Sequence, residues 1–402
     1  MPTSDTSERL RLLTWAAAVL FVAYGIVYVT GLDFTHALPR DGKLHVIGRD
    51  FLNFWMYGRA AGEPNPGRYY DLTTYWAATD AITGPGYPQQ LWSYPPTVML
   101  LAAPFGFLAY LPALALWTAI AIAAFIFGLR LWTRDPRYLV PLLLSPAAIF
   151  GLVSGQFALV ATAAMLAVLR WRETRPLLAG VILGLLTLKP QLGLFFPVML
   201  LATRSWRVIG AATVTAIVLA ALTGVIWGSD VWLAYLNHGI ANQTLVLTDP
   251  DNISELHMAT LFINARSAGL PIGAAAAVQA VASLLAIVLV WTTFARRPPA
   301  DDLRANAIFL ACAAFGTPYM MSYDTLPLVV GMVLLMPTGA AGRLLTLLAW
   351  GLQPLQFAFG LFHLPGPALV PIVIALYLVK QPASSIWVDQ RNWPTGRTQS
   401  SA

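Results

Sequence analysis

Charge is what this sequence has least of. Of its 402 residues, 10% are Asp, Glu, Lys or Arg, against about 25% in an ordinary soluble domain. A chain so poor in charge is neither disordered nor a coiled coil, and it has no basic tract to offer a nucleic acid. Its 58% apolar residues exceed the usual share of about 45–50% and are too many for one water-soluble core to hide. Cysteine is almost absent. Cys312 is the single one and sits in an apolar run, which excludes an internal disulfide and any cysteine-based metal site. It reads as a small buried residue. His36, His45, His238 and His363 show no ligand-like spacing with one another or with acids, so neither a structural metal nor a cofactor is expected. No cleavable signal sequence is expected, and no internal repeat or low-complexity tract stands out beyond the polar residues after Asn392.

Long apolar runs are what the sequence has instead. Residues 12–32, 81–129, 138–169, 208–229, 267–295, 305–323, 325–342 and 344–379 contain no Asp, Glu, Lys or Arg. A membrane-crossing helix needs about 20 largely apolar residues, and only helices or closed barrels satisfy their backbone in lipid. The runs lack the alternation of barrel strands. The expected fold class is therefore all-α, a polytopic integral membrane protein. The run from Leu12 to Gly31 follows Arg9 and Arg11 and is long enough to be a retained first helix.

The few charges then set a topology. Seventeen of the 24 basic residues fall in clusters: Arg9 and Arg11, Arg130 to Arg137, Arg170 to Arg175, Arg204 and Arg207, Arg296 to Arg304, then Arg343, Lys380, Arg391 and Arg397. Placed on the cytoplasmic side, they satisfy the positive-inside rule. Six others, Arg40, Lys43, Arg49, Arg59, Arg68 and Arg266, lie in two long loops on the other side, and Lys189 stands apart. This arrangement predicts about 12 transmembrane helices, near 12–32, 112–130, 138–153, 156–169, 176–188, 191–203, 208–228, 272–294, 304–317, 324–338, 343–361 and 366–380, with both chain ends cytoplasmic. Residues 176–203 become a hairpin of short arms with its tip at Lys189-Pro190-Gln191. Residues 95–109, short and interrupted by Pro104, are expected to be re-entrant or interfacial, with a helix pair as the alternative. Residues 1–385 form one membrane domain, with outer loops at 33–93 and 229–271, and 386–402 form a polar cytoplasmic tail. Loops of that length tend to be functional. Helix-like spacing over Asp50–Ala61 and Leu72–Ile82 suggests short amphipathic helices on the membrane surface.

Chemistry-bearing residues gather at the outer ends. Asp50 stands among apolar and aromatic neighbours in Arg49-Asp50-Phe51-Leu52-Asn53-Phe54-Trp55. Two readings stand for it: a general base that takes a proton from a hydroxyl, and an N-cap of the helix starting at Phe51. Lys189 within apolar sequence is a functional candidate by default, as a point charge for a phosphate or as a snorkelling side chain. Gln156 and Gln191 occupy neighbouring tips and offer hydrogen bonds. Asp324, in Tyr319-Met320-Met321-Ser322-Tyr323-Asp324, could bind sugar hydroxyls, pair with Lys189 or cap the next helix. His257 and Arg266 in the second outer loop could face an anion. Asn242-Gln243-Thr244 and Asn252-Ile253-Ser254 match a glycosylation sequon that recurs by chance and carry no weight.

In order, Asp50, Tyr94-Pro95-Pro96, Gly155-Gln156, Ala179-Gly180, Gly184, Leu188-Lys189-Pro190 and Arg204-Ser205-Trp206-Arg207 resemble glycosyltransferase family 87. The resemblance runs over roughly residues 10–340 and implies a GT-C membrane fold. It implies transfer of mannose or a related sugar from a polyprenol-phosphate donor to a hydroxyl of a glycan or glycolipid acceptor, with inversion. It further implies Asp50 as general base and Lys189 as a donor-phosphate contact. From their positions in the sequence, Gln156, Gln191, Tyr323, Asp324, His257 and Arg266 are expected around the donor, with Asn53 and Tyr94 as supports. No bound metal or cofactor is implied. The partners are the lipid donor, the acceptor and membrane lipids, and the expected place is a bacterial inner membrane with an extracytoplasmic active site. The resemblance departs in the second outer loop, where relatives carry Asn-Gln-Ser and His257-Met258-Ala259-Thr260 stands here. A secondary transporter and a non-catalytic envelope-assembly protein are the rival classes. The lack of a repeat disfavours the transporter.

Overall fold

A computed structural model describes residues 4–42, 44–248 and 254–381. Lys43, Arg391, Arg397 and the expected tail fall outside the described residues. Nearly all regular structure is helical. In chain order the helices are α1 (Ser4–Thr30), α2 (Phe51–Ala60), α3 (Leu72–Thr83), α4 (Val98–Gly106), α5 (Tyr110–Arg130), α6 (Leu139–Leu143), α7 (Pro146–Val153), α8 (Ala158–Trp171), α9 (Pro176–Leu185), α10 (Phe196–Thr203), α11 (Trp206–Trp227), α12 (Asp230–Ala234), α13 (Ile240–Thr248), α14 (Ser254–His257), α15 (Leu261–Ser267), α16 (Ile272–Phe294), α17 (Leu303–Gly316), α18 (Leu326–Leu335), α19 (Gly339–Trp350), α20 (Leu352–Leu361) and α21 (Val370–Lys380). A two-residue antiparallel ribbon, β1 (Arg40–Asp41) and β2 (His45–Val46), pairs Arg40 with Val46 and Asp41 with His45.

All the expected apolar segments are helical, but their lengths differ. Four helices, α1, α5, α11 and α16, are long and apolar enough to cross a membrane. The number rises to six if the bent pairs 136–153 (59°) and 339–361 (67°) each count as one span. The remaining apolar helices have 10–17 residues. Large apolar side chains on the long helices face outward, among them Val27, Val225 and Val281, as a lipid-facing surface requires. Helix α4 has nine residues, about 14 Å of length at 1.5 Å per residue, which is less than half a hydrocarbon core.

Glycines set the close contacts. On α9, a Cβ at Gly180 would lie 2.5 Å from the Cβ of Ala211, and one at Gly184 would lie 2.4 Å from the Cβ of Thr215. The Ala-Gly…Gly spacing is therefore the small-residue seam along which α9 and α11 pack. Gly58 of α2 and Gly106 of α4 are equally tight, with hypothetical Cβ atoms 2.3 Å from Ala102 O and 2.1 Å from Gly58 C. Helix α2 corrects a sequence expectation. Nine of its ten residues are buried, so it has no surface face; its aromatic residues pack inward against α4 and α5. Helix α3 does keep the amphipathic pattern, burying Tyr75, Thr79 and Thr83.

An aromatic core holds the first outer loop together. Trp92 stacks on Tyr57 at 3.5 Å and meets Tyr69, Tyr70 and Tyr75. Such pairs contribute roughly 0.5–1.5 kcal/mol each beyond area burial. The basic clusters meet at the opposite end of the bundle. Arg137 donates to Ser7, Arg9 to Pro337, Arg170 to Leu131 and Arg304 to Leu378 and Val379. Arg172 is buried and joins Pro298 and Asn306. The clusters grouped by charge alone are thus neighbours in space.

Candidate active site

Asp50 follows a tight turn. Gly48 has φ 86° and Arg49 has φ 40°, and Phe51 N–H donates to Gly48 O, which starts α2. Asp50 occupies the N-cap position, but its side chain makes no capping hydrogen bond. Its Oδ2 instead accepts from Gln156 Nε2 at 2.9 Å. Asp71 and Asp302 show the contrast, since each accepts from backbone N–H groups at the start of its helix.

Gln156 reaches Asp50 because Gly155 lets it. Gly155 has φ 59°, and a Cβ there would lie 2.4 Å from the Cβ of Phe51. Trp117 Nε1 donates to Gly155 O at 2.9 Å and fixes the tip. Tyr94 OH donates to Gln156 Oε1 at 3.4 Å, leaving the amide nitrogen aimed at Asp50. The Gly-Gln motif thus serves the acid directly. Burial raises the Asp50 carboxyl above the usual carboxylate range, and the Gln156 hydrogen bond, then Arg49 and Lys189, oppose that rise. A recessed carboxylate held by one amide is a competent proton acceptor near neutral pH.

Lys189 sits at the hairpin tip, between short 3-10 turns Leu186–Leu188 and Pro190–Gly193. Its Nζ donates to Asp324 Oδ1 at 2.8 Å and Oδ2 at 3.0 Å. Both side chains are sealed, 5% and 0% exposed, and the ammonium lies 5.0 Å from the centre of the Tyr323 ring. Asp324 Oδ2 also accepts from Met321 N–H. Of the sequence-based alternatives for Asp324, the pair with Lys189 is present, whereas its bond to Met321 N–H closes the 3-10 turn Ser322–Thr325 and does not cap the helix that follows. Lys189, Tyr94, Tyr319 and Tyr323 all lie within electrostatic reach of Asp50.

Other candidates separate. His257 lies between the rings of Phe150 (5.2 Å) and Phe357 (5.8 Å), and its buried Nδ1 has no partner among the described residues. Burial drives its pKa down to about 4. A neutral imidazole faces an anion through an N–H rather than through a charge. Arg266 Nη1 donates to Leu270 O at 2.9 Å and so closes the end of its own helix. Gln191 is half-buried, with no side-chain hydrogen bond among the described residues. Asn53 donates to Leu91 O and accepts from Tyr75 OH, so it ties the first loop together rather than lining the site. Among the described residues, no three of His, Cys, Asp and Glu converge as metal ligands.

Two groups escaped the sequence reading. Asn242, dismissed with its sequon, is buried and donates to both Tyr70 O and Trp92 O at 3.0 Å. Gln243 reaches Tyr319 and keeps a buried, unpartnered Nε2. The second outer loop thus joins the site through Asn242-Gln243 as well as through the Met258–Met321 bridge. Arg49 is the other. Counting it only as an outer-loop charge hid its place beside Asp50.

Helices fit to cross a bilayer, with a recessed acid and a buried ion pair at the end away from the basic loops, define an integral membrane protein with a polar site. The family model described as glycosyltransferase family 87 matches residues 92–322, more than half of the 402-residue chain. The protein belongs to that family and is a membrane glycosyltransferase. The match includes Tyr94, Gln156, Lys189, Gln191, His257 and Arg266, whereas Asp50 and Asn53 precede it and Tyr323 and Asp324 follow it. No match was found among curated proteins or among solved structures.

Proposed function

We propose that the protein transfers mannose or a related sugar from a polyprenol-phosphate donor to a hydroxyl of a glycan or glycolipid. The observation that carries this reading is the Asp50 carboxylate, which caps nothing at the helix it precedes and is held by Gln156. Asp50 removes the acceptor's proton, the resulting oxygen attacks the anomeric carbon, and the polyprenyl phosphate leaves with the bonding electrons. Attack opposite the leaving group inverts the anomeric centre. Water is excluded where the first loop, the Lys189 tip and the Asp324 turn meet, which strengthens fixed charges and limits hydrolysis. Lys189, bound by Asp324, acts on Asp50 through its field. Tyr323, Gln191 and Gln243 surround the sugar, and His257 offers an uncharged ring.

The proposed setting is a bacterial inner membrane crossed twelve times, in a GT-C fold spanning about residues 1–385, with both ends cytoplasmic and the site outside. Gathering of the basic loops at one end supports this sidedness. The test is turnover of labelled polyprenyl-phosphate-mannose by the purified protein in vesicles containing glycolipid acceptors. Retention of all label on the donor, with both wild type and Asp50→Asn folded, overturns the reading.

A further inference from the structure

Arg49 is the cation beside the acid whose hydrogen-bonding capacity is left open. Lys189 is sealed against Asp324, to which its ammonium donates twice. Arg49 uses only Nε, which donates to Asp41 Oδ2 at 2.9 Å, and its side chain is 29% exposed. Among the described residues, no hydrogen bond uses Nη1 or Nη2 of Arg49. Its backbone is left-handed, at φ 40°, which costs on the order of 1–3 kcal/mol for a non-glycine residue. Gln90 Nε2 holds that backbone by donating to Arg49 O. Arg40 and Arg49 share the ribbon side of the turn with Asp33 and Asp41.

That side faces the far end of α1. Gly42 N–H donates to Gly31 O, and Asp33 bridges to Arg40, so the ribbon hangs from the end of the helix. Helix α1 packs through Leu10, Leu13 and Ala17 against α6 and α7. Most of its remaining surface is exposed, and toward the C-terminal end this includes Val22, Ile26, Val27 and Val29, where a Cβ at Gly25 would meet nothing within 4 Å. Tyr24 and Tyr28 stack at 6.2 Å and lie within electrostatic reach of Arg49. An open apolar strip therefore runs from the lipid-facing helix to a guanidinium with free N–H groups.

We propose that Arg49 binds the phosphate of a long-chain polyisoprenoid lipid whose chain enters from the bilayer along Tyr24, Gly25 and Tyr28. The inference deepens the proposed transfer reaction and rests on it. A planar guanidinium donates two parallel N–H bonds to phosphate oxygens, which an ammonium cannot do. Arg49 and Asp50 are consecutive, yet they bond to different segments, Asp41 and Gln156. That divergence suits in-line displacement, with the base on one side of the sugar and the phosphate on the other.

The test is binding of a sugar-free long-chain polyprenyl phosphate to the full chain in phosphatidylcholine nanodiscs, read by native mass spectrometry. Arg49→Gln should weaken binding by about tenfold or more, the loss expected for a charge-assisted contact. Arg49→Lys keeps the Asp41 pair and should lie between the two. Arg68→Gln, which removes an exposed outer-loop guanidinium paired with Glu63, should change binding by less than about threefold. Gly25→Trp, placed where a side chain meets open space, should weaken the long-chain lipid and leave geranyl phosphate unaffected. Equal binding by wild type and Arg49→Gln overturns the proposal. So does an equal loss in Arg68→Gln, or full competition by phosphatidylglycerol. The assay holds neither sugar nor acceptor. Arg49-dependent binding without turnover sinks the transfer reading alone, and turnover with Arg49-independent binding sinks this one alone.

Discussion

Gln156 and Asp50 lie 106 residues apart in sequence and share one hydrogen bond of 2.9 Å. A left-handed glycine, Gly155, and a helix-capping position left without its cap bring them together. If that contact orients the base, its removal should change chemistry before it changes folding.

Replacing Asp50 by Asn removes the proton acceptor while keeping the shape and the Gln156 contact. Sugar transfer should fall by about 10²- to 10⁴-fold, the usual contribution of a general base. The Tm in detergent at pH 7 should not fall. A carboxyl whose folded pKa is raised contributes stability below its unfolded pKa and loses it as pH rises through the folded value, and Asn has no such loss. Rates and melting curves on the same preparation check both parts.

The pH profile supplies a second test. The base works ionised, so activity should fail as pH drops through the Asp50 pKa, which burial raises. Gln156 opposes that rise by donating to the carboxylate. In Gln156→Leu the acid limb of kcat/KM should therefore move to higher pH. An acid limb that stays put or moves down would show that Gln156 does not act on the base.

The ion pair predicts non-additivity. Lys189→Met alone, or Asp324→Leu alone, strands a buried charge and should destabilise by about 3–5 kcal/mol. Removing both leaves no charge to strand, so the double variant should be more stable than either single one. Chemical denaturation in mixed micelles, analysed as a double-mutant cycle, measures the coupling.

Glycine seams give a packing test. Gly180→Leu forces a side chain into the Ala211 and Val208 backbone region and should lower stability by about 1–3 kcal/mol or more through overpacking. Gly210→Leu, where a Cβ meets nothing within 4 Å, should be near neutral. Thermal melts of both variants in one detergent compare them.

Much of the helical layout was legible because lipid imposes a simple rule on sequence. The absence of charge located α5, α11 and α16 almost to their ends, and α1 except for its charged first turns, which start at Ser4. Arginine clustering grouped loops that the fold places side by side. The burial of α2 was not legible, because its aromatic pattern resembles that of a surface helix until Gly58 is seen to admit α4. Lys189 and Asp324 stood out as lone charges in apolar runs, but their bond spans 135 residues, and no local spacing reports such a contact. The setting of His257 was hidden for the same reason. Its sequence neighbours do not include Phe150 and Phe357, the rings that desolvate it. Asn242 was missed because a short pattern with a common chance explanation concealed a buried amide.

The distance along the chain between Lys189 and Asp324 has a consequence for biosynthesis. The tip carrying Lys189 leaves the ribosome long before its partner has been made. Until Asp324 arrives, the ammonium has no carboxylate to sit against and favours water over its final place. The hairpin can settle only when the turn at Ser322–Thr325 reaches it. The order of synthesis therefore keeps a half-built chain from presenting a finished site to the lipids around it.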